Sequence, residues 1–376
     1  MNIDGRKIWQ IAAGDKDRRY PDPLLKWDVV AMGPGCLGGW PEVSSSTELS
    51  AKYVGILRQF NEDVVEGNLV VLRLGTDEVY GVGEIVGGPA WLDDFGDIDG
   101  WDLQFVRRVR WLWKYDGKTP KRFKPYTLKL GATVQDVNPT LDNAKPLLDW
   151  LQQLEFTSEE LTRELVTLPP SCRDKLAIEP CHTQKVGEYL FDRGIAAQSI
   201  DAVLREMAEL VRIAKWYQSE MVYPSDAETV AYLAVPLLRV LGWTPQKMAI
   251  EWNNVDVALF HALPRKDPNV EVVVEVKIRD SSSLKARDQA ENYTLVPDRE
   301  KCSRVIVTDG IIYAVYVKSD GKFGTMPSAY LNLTRMMDDY PILGCKGAKE
   351  ALEMMAPDWN PSAAASSPQR TDPEEL

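Results

Sequence analysis

The spacing of apolar residues changes twice along the chain, and this most narrows what the chain can fold into. From about 6 to 135 the apolar runs are short, glycine- and tryptophan-rich and separated by turn residues: Lys7 to Ala13, Asp28 to Met32, Asn68 to Leu74, Val79 to Val86 and Val106 to Trp113. Such runs predict strands of a small β-barrel. From about 140 to 245 the period becomes helical. It is clearest where Ile200, Val203, Leu204, Met207, Leu210, Val211 and Ala214 keep i, i+3, i+4 spacing. Beyond 245 strand-like and helix-like stretches alternate, the mark of an α/β unit. The expected fold is therefore α+β and multidomain, with a β-barrel over 1–135, a helical connector over 136–222, an α/β domain over 223–355 and a disordered tail over 356–376. A chain of 376 residues is long enough for two such cores.

No run of eighteen apolar residues occurs and the N-terminus lacks a basic-then-apolar order, so no membrane contact and a cytoplasmic location are expected. Five cysteines (Cys36, Cys172, Cys181, Cys302, Cys345) without a CxxC pair predict reduced thiols. With only His182 and His261 in the chain, Cys181-His182 is a poor start for a zinc site. The formal charge of −12 disfavours nucleic acid on average, but between Trp101 and Gly131 nine lysines and arginines face two aspartates. Arg107, Arg108, Arg110, Lys121, Arg122 and Lys124 are thus candidates for contacts to a nucleic-acid backbone.

The chemistry-bearing residues lie in the last third. In Val272-Val-Val-Glu-Val-Lys-Ile278 a period of two puts Val272, Val274, Val276 and Ile278 on one face and Glu275 and Lys277 on the other. Asp256 sits in the preceding apolar strand, where an unpaired charge is costly. Two carboxylates on adjacent strands invite a divalent cation. Mg²⁺ prefers a few carboxylates plus waters, and Mn²⁺ is the natural substitute. Asp256, Glu275 and the Val276 carbonyl are the expected ligands, and Lys277 would hold the attacking water or take its proton.

This arrangement, Asp256 and then Glu275-Val-Lys277 after 18 residues, resembles the core of the PD-(D/E)xK nuclease superfamily, with Val255-Asp256 in place of Pro-Asp. Asp226 to Trp243 is similar to the opening helix of restriction-type members, with Glu228 at its acidic position as a further metal ligand. Gln289-Ala-Glu-Asn-Tyr293 is similar to the family's Gln-xxx-Tyr helix and adds Gln289 to the site. Val305 to Tyr316 resembles the Thr-Asp/Asn-Gly hairpin of type I restriction motor subunits. The resemblance covers about 225 to 318 and implies a restriction-endonuclease-like fold and Mg²⁺-dependent DNA cleavage. Because one such site cuts one strand, a homodimer or higher homo-oligomer is expected.

The first third resembles PUA-like barrels, especially the EVE group, through Lys7 to Gly14, Val29 to Gly35 and Tyr80 to Val86. Some of these read modified bases, which implies a pocket with aromatic walls and polar groups for the base edge. Trp9, Trp27, Trp40, Trp91 and Trp101 are candidate walls, glycine-flanked Trp40 foremost, and Asp15 and Asp28 are candidate edge contacts. A reader joined to a nuclease suggests a modification-dependent restriction enzyme acting on base-modified DNA in defence against phage. Two alternatives remain: a defence DNase sensing a small nucleotide or RNA, and a non-catalytic DNA-binding or assembly subunit.

Overall fold

A computed structural model describes residues 3–360 apart from 4, 16–17, 36, 129–130, 157, 170–186, 188–190, 192–196, 220–221 and 280–282. The expectations about Cys36, Cys172 and the Cys181-His182 pair lie outside the described residues. Cys302 and Cys345 are buried free thiols.

The first sheet contains β1 (Ile8–Ala12), β2 (Val29–Met32), β3 (Leu69–Leu74), β4 (Glu78–Trp91), β5 (Phe105–Lys114), β6 (Lys121–Arg122) and β7 (Val134–Asp136). Helices α1 (Pro21–Lys26) and α2 (Ala51–Arg58) lie in its connections. The order is β2-β5-β4-β3-β1-β7, with β6 beside β4. Every expected strand forms, but the expected barrel does not: among the described residues β2 and β7 end an open path. The sequence of β3 explains why it reads as an unbroken apolar run. Val70, Leu72 and Leu74 enter the main core, whereas Leu69 and Val71 pack with Ile8, Val79 and Val82 under a helix.

That helix is α3 (Lys145–Gln153), which seats Leu147 and Leu151 on the first sheet. After α4 (Ser158–Thr162), the segment 163–166 crosses β5 and is fastened to buried Asp28. Helix α5 (Ala197–Ser219) instead packs with the π-helical segment Val230–Ala234 and α7 (Val235–Val240), which continue from α6 (Asp226–Thr229). The middle of the chain is thus shared between the two sheets and does not form one connector.

The second sheet runs β15-β16-β14-β12-β11-β10-β9-β8, with β13 on β12. The strands are β8 (Met248–Trp252), β9 (Val255–Phe260), β10 (Val270–Val276), β11 (Arg304–Thr308), β12 (Ile312–Ser319), β13 (Lys322–Phe323), β14 (Ala329–Asn332), β15 (Asp339–Tyr340) and β16 (Cys345–Lys346). What reads as one stretch, Ala249 to Phe260, is a hairpin. Trp252 pairs with Val255 around Asn253 and Asn254, both at positive φ, as a two-residue type I′ turn requires. Strands β10 and β11 are parallel, joined through α8 (Ser283–Thr294), and α9 (Ala348–Met355) closes the domain.

Two devices hold this half together. The turn after β11 places Gly310 at φ 85°, where an added Cβ would meet Leu233 Cδ1 at 2.5 Å and Thr229 Cγ2 at 2.9 Å. The Thr-Asp-Gly sequence therefore lets the opening helix approach the sheet. Fully buried Arg304 donates to the carbonyls of Met354 (2.6 Å) and Ala356 (2.7 Å), pairs with Glu271 and lies against Trp359. Residues 356–360, placed in the expected tail, are thus bound to the domain, and 361–376 lie outside the described residues.

The two sheets share one connected apolar core, from Trp9 to Met355. Asp97 and Asp99 turn into the second half. There Asp97 accepts from Asn332 Nδ2 (2.8 Å) and Tyr330 Oη (3.2 Å). Among the described residues no helix is long and apolar enough to cross a membrane.

Candidate active site and N-terminal cavity

Asp256, Glu275, Lys277 and Gln289 meet at one end of the second sheet. Strands β9 and β10 run antiparallel as far as Val257 opposite Val274, one residue short of Asp256 and Glu275. Here a side chain replaces the backbone ladder: the Val276 amide donates to Asp256 Oδ2 (2.7 Å). On the other edge the Lys277 amide donates to the Thr308 carbonyl (2.8 Å). Both bonds fix the Glu275-Val276-Lys277 strand end. Lys277 Nζ then donates to Glu275 Oε1 (2.5 Å) and Gln289 Oε1 (2.9 Å), and Gln289 Nε2 donates to Tyr293 Oη (3.0 Å). The i, i+4 spacing of Gln289 and Tyr293 on α8 makes that last contact possible.

Glu275 is only 2% exposed, and its Oε2 has no hydrogen-bond partner. Burial pushes its pKa above the usual carboxylate value, with Asp256 and Asp226 adding repulsion against the pull of Lys277. Burial likewise raises Asp256, opposed by the Val276 amide and Lys277 and reinforced by Asp226 and Glu251. The carboxylates are thus held close with too little positive charge.

Glu228 does not join them. It is exposed and closes a capping box with Ser225, whose amide donates to Glu228 Oε2 at 2.8 Å. Those bonds lower its pKa. The acidic group of the opening helix whose charge acts on the centre is Asp226, two residues earlier. The Ser-x-x-Glu pattern from Ser225 to Glu228 was the available signal.

No group of three or more His, Cys, Asp or Glu side chains among the described residues forms a ready metal cluster. The donors that fit a hard cation are fewer: two carboxylates of raised pKa, one with an orphaned buried oxygen. That is the sparse oxygen set that suits an ion retaining waters.

In the first half a cavity of about 530 Å³ is lined by Asp15, Tyr20, Tyr53, Arg73, Trp101 and Thr133 among others. Trp101 packs against Tyr20 (centroids 5.7 Å apart) with the Arg18 guanidinium over its ring. Arg73 is buried and donates to the Gly75 and Ala132 carbonyls, and burial lowers its pKa to about 10. Of the candidate walls and edge groups, only Trp101 and Asp15 line this cavity.

The remaining candidates have other tasks. Trp9 is core, with Nε1 on Asn68; Trp27 donates to the Ile342 carbonyl, Trp40 to Glu62 and Trp91 to the Gly35 carbonyl. Asp28 is wholly buried and holds Lys114, Arg163 and the Val166 amide. The basic stretch is no continuous surface either. Arg107 is 2% exposed, and Arg108 donates to the Val166 carbonyl. Lys121 lies over Phe123 and Trp150, and Arg122 pairs with Glu78. Arg110 is half-buried, and among the described residues of the stretch Lys118 and Lys124 are exposed. Sequence spacing reports which residues are basic but not which are turned inward.

No protein-family model matches the chain, and a search of curated proteins returns no relative.

Proposed function

We propose that the chain is a Mg²⁺-dependent DNA endonuclease whose N-terminal half accepts an extruded, modified base. The observation that carries the nuclease reading is buried Glu275. One of its oxygens is held by Lys277 and the other is orphaned, beside a second carboxylate of raised pKa. In an ordinary structural ion pair the acceptors would be used up.

Asp256 and Glu275, with the Val276 carbonyl, would hold the ion. When bound it would neutralise charge developing on the phosphodiester. Lys277 has three donors, and two are spent on Glu275 and Gln289. The third would orient water, or a phosphate oxygen, toward the phosphorus. Gln289, steadied by Tyr293, keeps the amine from folding wholly onto Glu275. The reader half of the proposal is supported by Trp101 and Tyr20 at a cavity with polar Asp15 and Thr133, which suits stacking plus edge hydrogen bonds.

The test is digestion of plain and base-modified DNA by the purified full chain with Mg²⁺, with Mn²⁺ and with chelator. Metal-dependent cutting that prefers a modified substrate is expected. No cutting of any substrate would reject the nuclease. Cutting indifferent to modification would reject the base reader and favour a small-nucleotide sensor.

A further inference from the structure

The loop between β4 and β5 lines the cavity and also reaches the start of α8, the helix that carries Gln289. At its tip Ile98 and Trp101 exchange backbone hydrogen bonds (2.9 and 3.0 Å) around Asp99 and Gly100, at φ 53° and 79°. This is the tight turn that Asp-Gly favours, and it fixes the directions of side chains 99 and 101 relative to each other. Asp99 is 1% exposed and accepts from the amides of Ser283 (3.1 Å) and Leu284 (3.4 Å) and from the Ser283 hydroxyl. These amides open α8, where N–H groups lack partners within the helix and negative charge is favoured. A residue from the first half therefore caps the helix that carries Gln289.

Two residues on, Trp101 is a wall of the cavity. Arg18, beside the cavity residues Asp15 and Tyr20, donates to the Gly100 carbonyl (3.1 Å) and so grips the turn from the other side. From Ser283 to Gln289 is about 9 Å along a helix axis, and Gln289 holds Lys277.

We infer that the Ile98–Trp101 turn couples the cavity to the catalytic lysine. A base stacked on Trp101 displaces the turn, Asp99 moves with it, and α8 shifts Gln289 relative to Lys277. The inference rests on the proposed reader and nuclease and states how the first licenses the second. Coupling of this kind typically spans about 5–150-fold.

Amide hydrogen exchange over residues 283–294 of the full chain tests the link without relying on catalysis. Asp99→Asn and Ser283→Ala each weaken the cap, Ser283→Ala retaining the backbone bonds in case Asp99→Asn folds poorly. Both should raise α8 exchange about tenfold while β9 and β10 stay protected. Trp101→Phe, altering only the cavity end, should also change α8 exchange. If Trp101→Phe leaves α8 unchanged, the turn is a static cap and the coupling is overturned. Unchanged exchange in both cap variants overturns it as well. In cleavage assays, Ser283→Ala should lower the preference for modified DNA at least about fivefold with unchanged affinity for a modified oligonucleotide. A preference that survives Ser283→Ala counts against the coupling. A wild-type chain that cuts nothing rejects the proposed function, and the exchange result still decides the coupling.

Discussion

Asp28 in the first half and the Asp256–Glu275 pair in the second are buried carboxylates, and their surroundings treat them in opposite ways. In the first half burial alone would raise the pKa of Asp28, but Arg163, the Val166 amide and Lys114 outweigh it and hold the group below its usual value. In the second half Glu275 and Asp256 have one lysine between them and stay raised. Asp28, which fastens the 163–166 segment, is given enough donors to be stable as an anion. The pair at the strand ends is left short of positive charge, and two such carboxylates side by side with one lysine mark a candidate reaction centre.

The largest effect expected from this contrast is on cleavage. Glu275→Gln, Asp256→Asn and Lys277→Met should each reduce Mg²⁺-dependent cutting by about 10³-fold or more, the equivalent of about 4 kcal/mol, with circular dichroism unchanged. Asp28→Ala should retain cutting per folded molecule. Near-normal cutting by Glu275→Gln would erase the distinction between the two sites.

The next effect is on stability, and it belongs to Asp28. Removing the carboxylate strands Arg163 and Lys114, at a cost of about 3 kcal/mol, the low end for a buried pair because both cations are 36% exposed. Urea denaturation measures it, and a loss under 1 kcal/mol would mean that the 163–166 segment reseats.

Acid should separate the sites by sign. Asp28 contributes stability above its ordinary 3.8 that is lost as pH falls through its depressed folded value. Protonated Asp256 and Glu275 contribute stability that is full below their ordinary 3.8 and 4.5 and is lost as pH rises through the raised folded values. At pH 7 without metal, Glu275→Gln should therefore raise Tm and Asp28→Asn should lower it. Mg²⁺ at about 100 times its Kd should add about 2.7 kcal/mol to the wild type and much less to Glu275→Gln. Equal Mg²⁺ shifts in both proteins would remove Glu275 from the ion.

The smallest effect concerns the cavity. Trp101→Ala should weaken binding of a modified oligonucleotide by about 1–3 kcal/mol, the worth of one stacked base. Trp40→Ala, away from the cavity, should not. The reverse result in fluorescence anisotropy at fixed salt would move the pocket.

The longer strands, and Glu275 beside Lys277, were legible in the sequence because they follow local periodicity, whereas Gln289 was found through the resemblance to the nuclease motif. A period of two places Glu275 beside Lys277, and i, i+4 places Gln289 beside Tyr293. What was not legible depends on partners distant in sequence. Nothing in Asp97-Ile-Asp-Gly100 says that its acids face residues near 283 and 332. Likewise the run Phe105–Lys114 does not reveal that a later segment covers Arg108. Glycine neighbours made Trp40 a poor guide, since a ring becomes a cavity wall through what lies opposite it.

Arg304 also bears on how the chain can be dissected. Its guanidinium, in the apolar interior, takes carbonyls from Met354 and Ala356. A protein shortened to end at Glu353 would leave that cation with Glu271 alone. The shortest version of this half worth expressing therefore runs past Trp359, and a carboxy-terminal affinity tag belongs beyond that residue.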